Sequence, residues 1–387
     1  MSKKMLYIAS TVGHLKSFHL PYLERFAQEG WTVHIAGKNA HQLLPGAEEG
    51  FDISFEKSMF SPKNLQAVRQ LRKLLGRERY DVISVHTSLA AFFTRMAVML
   101  SGQRPLVINT VHGYLFDDDT SWMKRQLLLW AEKLTTPCTD LLLTMNRQDT
   151  RIARENRLCW GDIIQIDGMG VDFSRFSPAD GEQRKCARRT FGIPEDAFVL
   201  VYAAEFSGRK NQAALIQALS KLPEGVWLLL AGRGQMLDSC KSLAQQLGVA
   251  ERIVFAGFVS DVERCYHASD VCVSTSRSEG LPFNLMEAMH CALPVIAAKV
   301  KGHEDLVQDG RSGFLIHFGD EDGLCRAVEQ LMADPGQCRS YGKTGMEMVQ
   351  QYALEHVLEE NMKLFHEFFE IHLRWNETGK MTGKYKI

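Results

Sequence analysis

The chain has 387 residues, 45% hydrophobic and 24% charged, with a formal net charge of −1; this exceeds what one core usually organises and points to two domains, neither poor enough in apolar residues to stay disordered. The near-neutral balance and the lack of a long Lys/Arg block exclude a nucleic-acid-binding class. No apolar run approaches about 18 residues, so no membrane-spanning helix is expected.

In chain order, lysines precede the apolar run Met5 to Ser10. The run is short and passes into Gly13 and His14 without a small-residue cleavage site, so it reads as a first strand rather than a leader. Further strands are expected at 31–36, 82–85, 106–111 and 141–145, with helical patterns between them, the alternation of parallel βαβ units. Phe18 to Phe26 reads as an amphipathic helix packed on the sheet. The triplet Asp117-Asp118-Asp119 invites a divalent-ion reading, but it lies in a polar loop with no further ligand nearby in sequence and is read as solvated; no metal is expected. The stretch 122–134 combines Trp122 and Trp130 with Lys124, Arg125 and Lys133. Two readings stay open for it: burial against the sheet, or contact with a membrane surface that carries a lipid-linked substrate.

The alternation lapses between Asp172 and Ala197, where Pro178, Pro194 and a charged run around Glu182 to Arg189 suggest a linker at 176–195 between domains of residues 1–175 and 196–357. It then restarts with strands at 198–204, 226–231, 253–256, 271–275 and 295–298. A helix at 358–375, rich in Phe and Leu, is expected to pack back on the first domain, and 376–387 reads as a frayed polar tail. The expected fold is α/β: two Rossmann-like, doubly wound domains facing across a cleft into which the strand C-terminal ends deliver ligands. The nine scattered cysteines show no CxxC pair or zinc-like spacing, as in a reduced, cytoplasmic protein.

The densest chemistry lies in Ser274 to Met289, directly after a strand. Glu279 and Glu287 flank a Gly280-Leu281-Pro282 turn. Pro282 suits a first helical turn; the helix start offers the N–H groups of Phe283 and Asn284 to an anion, and Gly280 lets a ligand approach, which makes a seat for a diphosphate. Glu279 is then placed to accept from sugar hydroxyls and Glu287 from the two hydroxyls of a ribose. The opposing reading, two solvated surface carboxylates, is disfavoured by the apolar neighbours Ala288, Met289 and residues 292–297. Gly13, after the first strand, marks a place where backbone passes close to a ligand, although no GxGxxG pattern follows it.

This window resembles the E-x7-E motif of the retaining glycosyltransferases of family 4, which have the GT-B fold. The resemblance continues in order through Val201 to Asn211, Ala231 to Gly234, Phe255 to Val259 and Ala268 to Asp270, covering the C-terminal half closely and the N-terminal half more loosely. It implies transfer of a hexosyl or N-acetylhexosaminyl group from a nucleotide diphosphate. Lys210 is implied to bind the donor diphosphate, stabilising charge on the leaving group. The family's arginine five residues earlier is Glu205 here, so Arg209 is the second cation. Val259 and its neighbours would meet the base through backbone groups, with Leu281 beside Gly280 in the donor seat. In the first half Gly13 would face the donor phosphates and His112 the transferred sugar or its phosphate. Catalytic weight thus falls on His112, Glu279 and Lys210. His14, Lys16 and His19 are placed to touch the acceptor.

The His-x-x-x-Phe-His-x-Pro pattern from His14 to Pro21 is similar to that of bacterial capsule or exopolysaccharide transferases. This implies a UDP-sugar donor, a glycan or polyprenyl-diphosphate-linked glycan acceptor, no cofactor and no metal in the chemistry; with the scattered cysteines and the membrane reading of 122–134, the expectation is a cytoplasmic protein, peripheral at the inner face of the cytoplasmic membrane. Two rivals remain: a UDP-sugar 2-epimerase of the same fold, and a non-catalytic nucleotide-sugar-binding module. An NAD-dependent oxidoreductase is disfavoured, since neither half carries the glycine fingerprint with its following acidic residue.

Overall fold

The structure, a computed structural model, describes residues 3–56, 58–118 and 120–378. It divides into two compact units, Met1–Gly170 with Glu355–Ile387, and Val171–Leu354.

The first unit is built on β1 (Lys4–Thr11), β2 (Thr32–Lys38), β3 (Glu49–Asp52), β4 (Val82–His86), β5 (Leu106–Val111), β6 (Leu141–Thr144) and β7 (Asp162–Gln165), in the order β3-β2-β1-β4-β5-β6-β7. All neighbours pair in parallel. The central strands β4, β5 and β6 are buried along their whole length, as strands covered on both faces must be, and they read in the sequence as mainly apolar runs with a few buried polar residues such as Ser84 and Asn109. β3 and β7 form the two edges; their segments EGFD and DIIQ are only half-buried, which is why no apolar run announced them.

The helix Leu354–Thr378 starts four residues before the expected 358 and takes in 376–378 of the expected tail; 379–387 lie outside the described residues. From Glu355 it belongs to the first unit. Asn361 Nδ2 donates to the Tyr22 hydroxyl (2.9 Å) and to the Gly168 carbonyl (3.0 Å), and the Phe365 ring sits 5.8 Å from that of Phe26. The apolar face of the helix is thereby packed on the helix Leu20–Gln28.

The second unit contains β8 (Phe198–Ala203), β9 (Val226–Ala231), β10 (Ile253–Gly257), β11 (Val271–Ser274), β12 (Val295–Ala298) and β13 (Gly313–Ile316), in the parallel order β10-β9-β8-β11-β12-β13. The unanticipated strand is again an edge, β13, only partly buried.

The stretch 176–195 is not an open linker. It carries the helix Gly181–Phe191, started by an Asp180/Gln183 capping box. Arg188, 2% exposed, and Arg184 donate to the two oxygens of Asp270 at 2.9 and 2.5 Å, and Asp270 also accepts from the Val199 amide at 2.8 Å. A charged run that looks solvated in sequence is thus neutralised by a carboxylate 82 residues away from Arg188 and fastened to β8.

Both strand orders reverse once, between β1 and β4 and between β8 and β11. In open parallel sheets ligands bind beyond the strand C-termini at such switch points, because the loops there diverge to opposite faces. No helix among the described residues is long and apolar enough to cross a membrane, and the nine cysteines are free.

Candidate active site

At the second unit's switch point the loop after β8 delivers Arg209 and Lys210, and the loop after β11 delivers Glu279. The two loops are tied together: Arg277 N donates to the Arg209 carbonyl at 2.9 Å, and Thr275 Oγ1 to the Asn211 carbonyl at 2.8 Å. Glu279 is 6% exposed. Its carboxylate accepts from Lys210 Nζ at 2.7 Å and from an Arg209 guanidinium nitrogen at 2.8 Å. Burial pushes the Glu279 carboxyl up, but the Lys210 and Arg209 charges and the Lys210 and Ser276 hydrogen bonds outweigh it and hold the group at about 2. The Lys210 ammonium sits below its ordinary value through burial, opposed chiefly by Glu279. One buried carboxylate therefore holds two cations side by side, half of the Arg209 side chain remaining open to solvent.

Behind Glu279 runs a buried polar chain that the sequence reading missed. The Tyr202 hydroxyl lies 2.7 Å from Ser276 Oγ and 3.2 Å from Ser274 Oγ, and Ser274 Oγ lies 3.1 Å from His303 Nε2. His303 Nδ1 is 2.7 Å from the Ala298 carbonyl, which requires the proton on Nδ1 and leaves Nε2 as acceptor. The available signal was polar residues inside otherwise apolar strands, Tyr202 in β8 and Ser274 in β11. His303 sent none, since only the fold brings it to Ser274. Gly302 packs against the same loop at φ 79°, and a Cβ there would come within 2.6 Å of the Gly280 carbonyl oxygen, so glycine is required.

The helix after this turn spans Phe283–His290 with Pro282 as its N-cap, one residue earlier than a first-turn proline, and without a side-chain capping bond. The Asn284 side-chain nitrogen is buried beside the helix start with no partner among the described residues, a donor in want of an acceptor. Leu281 is buried in the turn. Glu287, one turn into the helix, accepts from the Tyr266 hydroxyl at 2.7 Å; burial raises its carboxyl. Tyr266 was not foreseen, although it adjoins the quoted Ala268 to Asp270. Val259 is half-buried in the loop after β10, next to Ser260, whose carbonyl accepts from Arg175 at 2.9 Å. Glu205 is exposed and makes no ion pair with Lys210 in this arrangement, so it does not take the place of the family arginine.

At the first unit's switch point the expected residues form a histidine cluster. Thr11 caps the seven-residue helix Val12–Phe18 by accepting from the His14 amide at 3.3 Å. Gly13 is therefore the second residue of a helix rather than the close of a strand, and a Cβ there would meet only Thr11 Oγ1 at 3.8 Å, so this unit's own packing does not demand glycine. Lys16 is exposed on the same helix. His19 Nε2 lies 3.2 Å from His112 Nε2. The His14 ring meets that of His112 edge-on at 4.6 Å, and the His86 ring, at the end of β4, lies 3.8 Å from His19. Burial drives the pKa values of His19, His86 and His112 well below the ordinary value and that of His14 to about 4, so the cluster is neutral at pH 7. His86 was not foreseen; it ends a strand as His112 follows one, and only the strand order makes them neighbours.

Asp117 accepts from Thr120 at 2.7 Å, and Asp118 accepts from Gln148 at 2.9 Å and pairs with Arg151 and Arg125; Asp119 lies outside the described residues. The helix Trp122–Thr135 buries Leu129, Ala131, Glu132 and Thr135, with Glu132 paired at 2.7 Å to the fully buried Arg95. Its other side is apolar and open: Trp122 is 74% exposed, Met123 77% and Trp130 62%. Of the two readings, burial applies to one stripe only.

Comparison with known proteins agrees with this architecture. Residues 183–348 match the family model described as glycosyl transferases group 1, and residues 22–172 the model of glycosyltransferase family 4. EpsD of Bacillus subtilis (strain 168), itself assigned to the glycosyltransferases, is 35% identical over 96% of this chain and 98% of its own. The Escherichia coli UDP-Gal:alpha-D-GlcNAc-diphosphoundecaprenol alpha-1,3-galactosyltransferase is 27% identical over 70% of this chain and 71% of its own. Among solved structures, HepE of Anabaena in complex with UDP superposes with a TM-score of 0.76 at 19% identity, covering 95% of this chain and 100% of that one. The sucrose-phosphate synthase of Thermosynechococcus elongatus gives 0.79 at 21% identity, covering 95% and 99%. Two parallel Rossmann-like units, a buried carboxylate holding two cations at the second switch point, and relatives that span nearly the whole length lead to one conclusion: the chain belongs to glycosyltransferase family 4 and has the GT-B fold.

Proposed function

We propose that this glycosyltransferase takes a sugar from a UDP-sugar and transfers it, with retention at the anomeric carbon, to a lipid-linked glycan of bacterial polysaccharide synthesis. The observation that carries the reading is the Glu279 carboxylate bonded at once by Lys210 and Arg209 beside a helix start. Glu279 holds the two cations side by side, so a diphosphate meets a preorganised field that strengthens as charge develops on it. Lys210 and Arg209 take the diphosphate, Gly280, Leu281, Phe283 and Asn284 line its seat, and Glu279 turns to the hydroxyls of the transferred sugar. Glu287, steadied by Tyr266, takes the ribose, and backbone at Val259 takes the base. The bond from the anomeric carbon to the diphosphate oxygen breaks, the acceptor oxygen bonds to that carbon from the same face, and the acceptor proton passes to the departing diphosphate. No separate base and no metal are needed. From the first unit, His112 is assigned to the transferred sugar, with Gly13 admitting the donor and His14, Lys16 and His19 meeting the acceptor.

Two relatives support the choice of ligands: the E. coli relative is named for UDP-Gal and a diphosphoundecaprenol-linked acceptor, and HepE was solved with UDP. A thermal-shift screen over UDP, GDP, ADP and CMP tests the donor, since a ligand of the native state alone raises Tm by mass action. UDP is expected to give the largest shift. Glu287→Ala is expected to weaken UDP about tenfold or more, the worth of hydrogen bonds to a charged group. A larger shift with another nucleotide refutes the base assignment. Incubation with UDP-N-acetylhexosamine alone separates the epimerase, which would release an epimer without acceptor.

The outward stripe of the helix Trp122–Thr135, with exposed Lys124 and Lys133 beside it, supports docking on an anionic membrane where such an acceptor resides. Wild-type protein should co-sediment with phosphatidylglycerol/phosphatidylethanolamine vesicles. The double variant Trp122→Ser, Trp130→Ser should bind about tenfold more weakly or worse, from the apolar area lost. Equal binding of both proteins would remove the helix from the account.

A further inference from the structure

We propose that His14, His19 and His112 form a binding site for one borderline-soft divalent transition-metal ion such as Zn2+. His14 lies in the helix Val12–Phe18 after β1, His19 caps its C-terminal end and His112 follows β5, and one ring nitrogen of each lies within 4.8 Å of the other two. A tetrahedral zinc ion with bonds of about 2.0–2.1 Å holds its ligand nitrogens roughly 3.3 Å apart; His19 Nε2 and His112 Nε2 already stand at 3.2 Å. His14 Nε2 is buried without a hydrogen-bond partner among the described residues, and a small ring movement brings it to the third position. The His86 ring lies 3.8 Å from that of His19, tilted by 39°, and is itself held by Ser84 Oγ at 3.0 Å, so it backs the central ligand on that side. Three imidazoles leave the fourth position of a tetrahedral ion for a water, as in three-histidine zinc sites.

The site shares His112 with the proposed sugar site but none of the residues on the diphosphate, for which the reading above needs no metal. Its consequence for activity rests on that reading: a metal that occupies His112 withdraws it from the transferred sugar, so Zn2+ acts as an inhibitor.

The test uses the full chain in a Cys186→Ser background, which removes the exposed thiol, stripped with chelator and titrated with Co2+. One equivalent should bind with the visible absorption of four-coordinate cobalt, and Zn2+ should displace it. His14→Ala, at a half-buried surface position, should keep the wild-type circular dichroism and bind about a hundredfold more weakly or worse, since loss of a direct ligand exceeds the loss of an outer-shell partner. His41→Ala, at a histidine paired with Asp52 elsewhere on the unit, should bind as the parent does. No stoichiometric binding, or equal binding by His14→Ala, overturns the site. Stoichiometric binding with undiminished glycosyl transfer leaves the site standing and instead removes His112 from the catalytic reading.

Discussion

Lys210→Ala is expected to lower kcat about a hundred- to a thousandfold, the usual loss when one preorganised donor to a developing anion is removed. Lys210 is the better-buried of the two cations on Glu279, its side chain 12% exposed against 50% for Arg209. It therefore acts in the lower dielectric, where a charge on the leaving diphosphate is worth more. Donor affinity should fall much less than turnover, because the ground-state diphosphate keeps Arg209 and the helix start while the extra charge of the transition state loses its main partner. The fold should survive at a lowered melting temperature, since removing one partner of a buried pair destabilises while Glu279 keeps Arg209 and Ser276; a wild-type circular dichroism spectrum is part of the expected result. Steady-state kinetics with saturating donor decide the matter: a kcat within a few-fold of wild type would end the role given to Lys210.

Glu279→Gln is expected to damage both activity and stability. The amide can accept from one cation but carries no charge, so Lys210 and Arg209 would face each other across a buried neutral group. Breaking a buried pair in this way costs about 3–5 kcal/mol, and transfer should become hard to detect as the cations disperse.

The pH dependence has a definite sign. Glu279 has its folded-state value depressed from 4.5 to about 2; its contribution to stability is present above the unfolded value near 4.5 and is lost as pH falls through about 2. The gap in Tm between wild type and Glu279→Gln should therefore be widest from pH 5 upward, within the range where both are soluble, and should narrow toward pH 2. A gap that stays constant with pH would show that the carboxylate does not owe its stabilising effect to ionisation.

These effects concern residues that the sequence names but does not connect. Among the described residues, ten of the thirteen strands follow from mainly apolar runs, because a strand covered on both faces has few polar positions to interrupt it. The three that do not, Glu49–Asp52, Asp162–Gln165 and Gly313–Ile316, are edges with one side toward solvent, and their composition resembles that of loops. The segment 176–195 shows the same limit from the other direction: Arg184 and Arg188 look solvated until the fold supplies Asp270.

By itself, then, the sequence determined the class of the fold, the two sheets, and the local pair of carboxylates about a helix start, all of which depend on periodicity or on residues close along the chain. The tertiary structure alone decided that Lys210 and Arg209 share Glu279 across 69 and 70 positions, that Tyr202, Ser274 and His303 stand behind it, that four histidines gather in one cluster, and that the helix Trp122–Thr135 turns its tryptophans outward. The physical reason is the strand order. Each sheet reverses direction once, and the loops that meet at that reversal come from strands far apart in the chain, so their side chains become neighbours only when the sheet has formed.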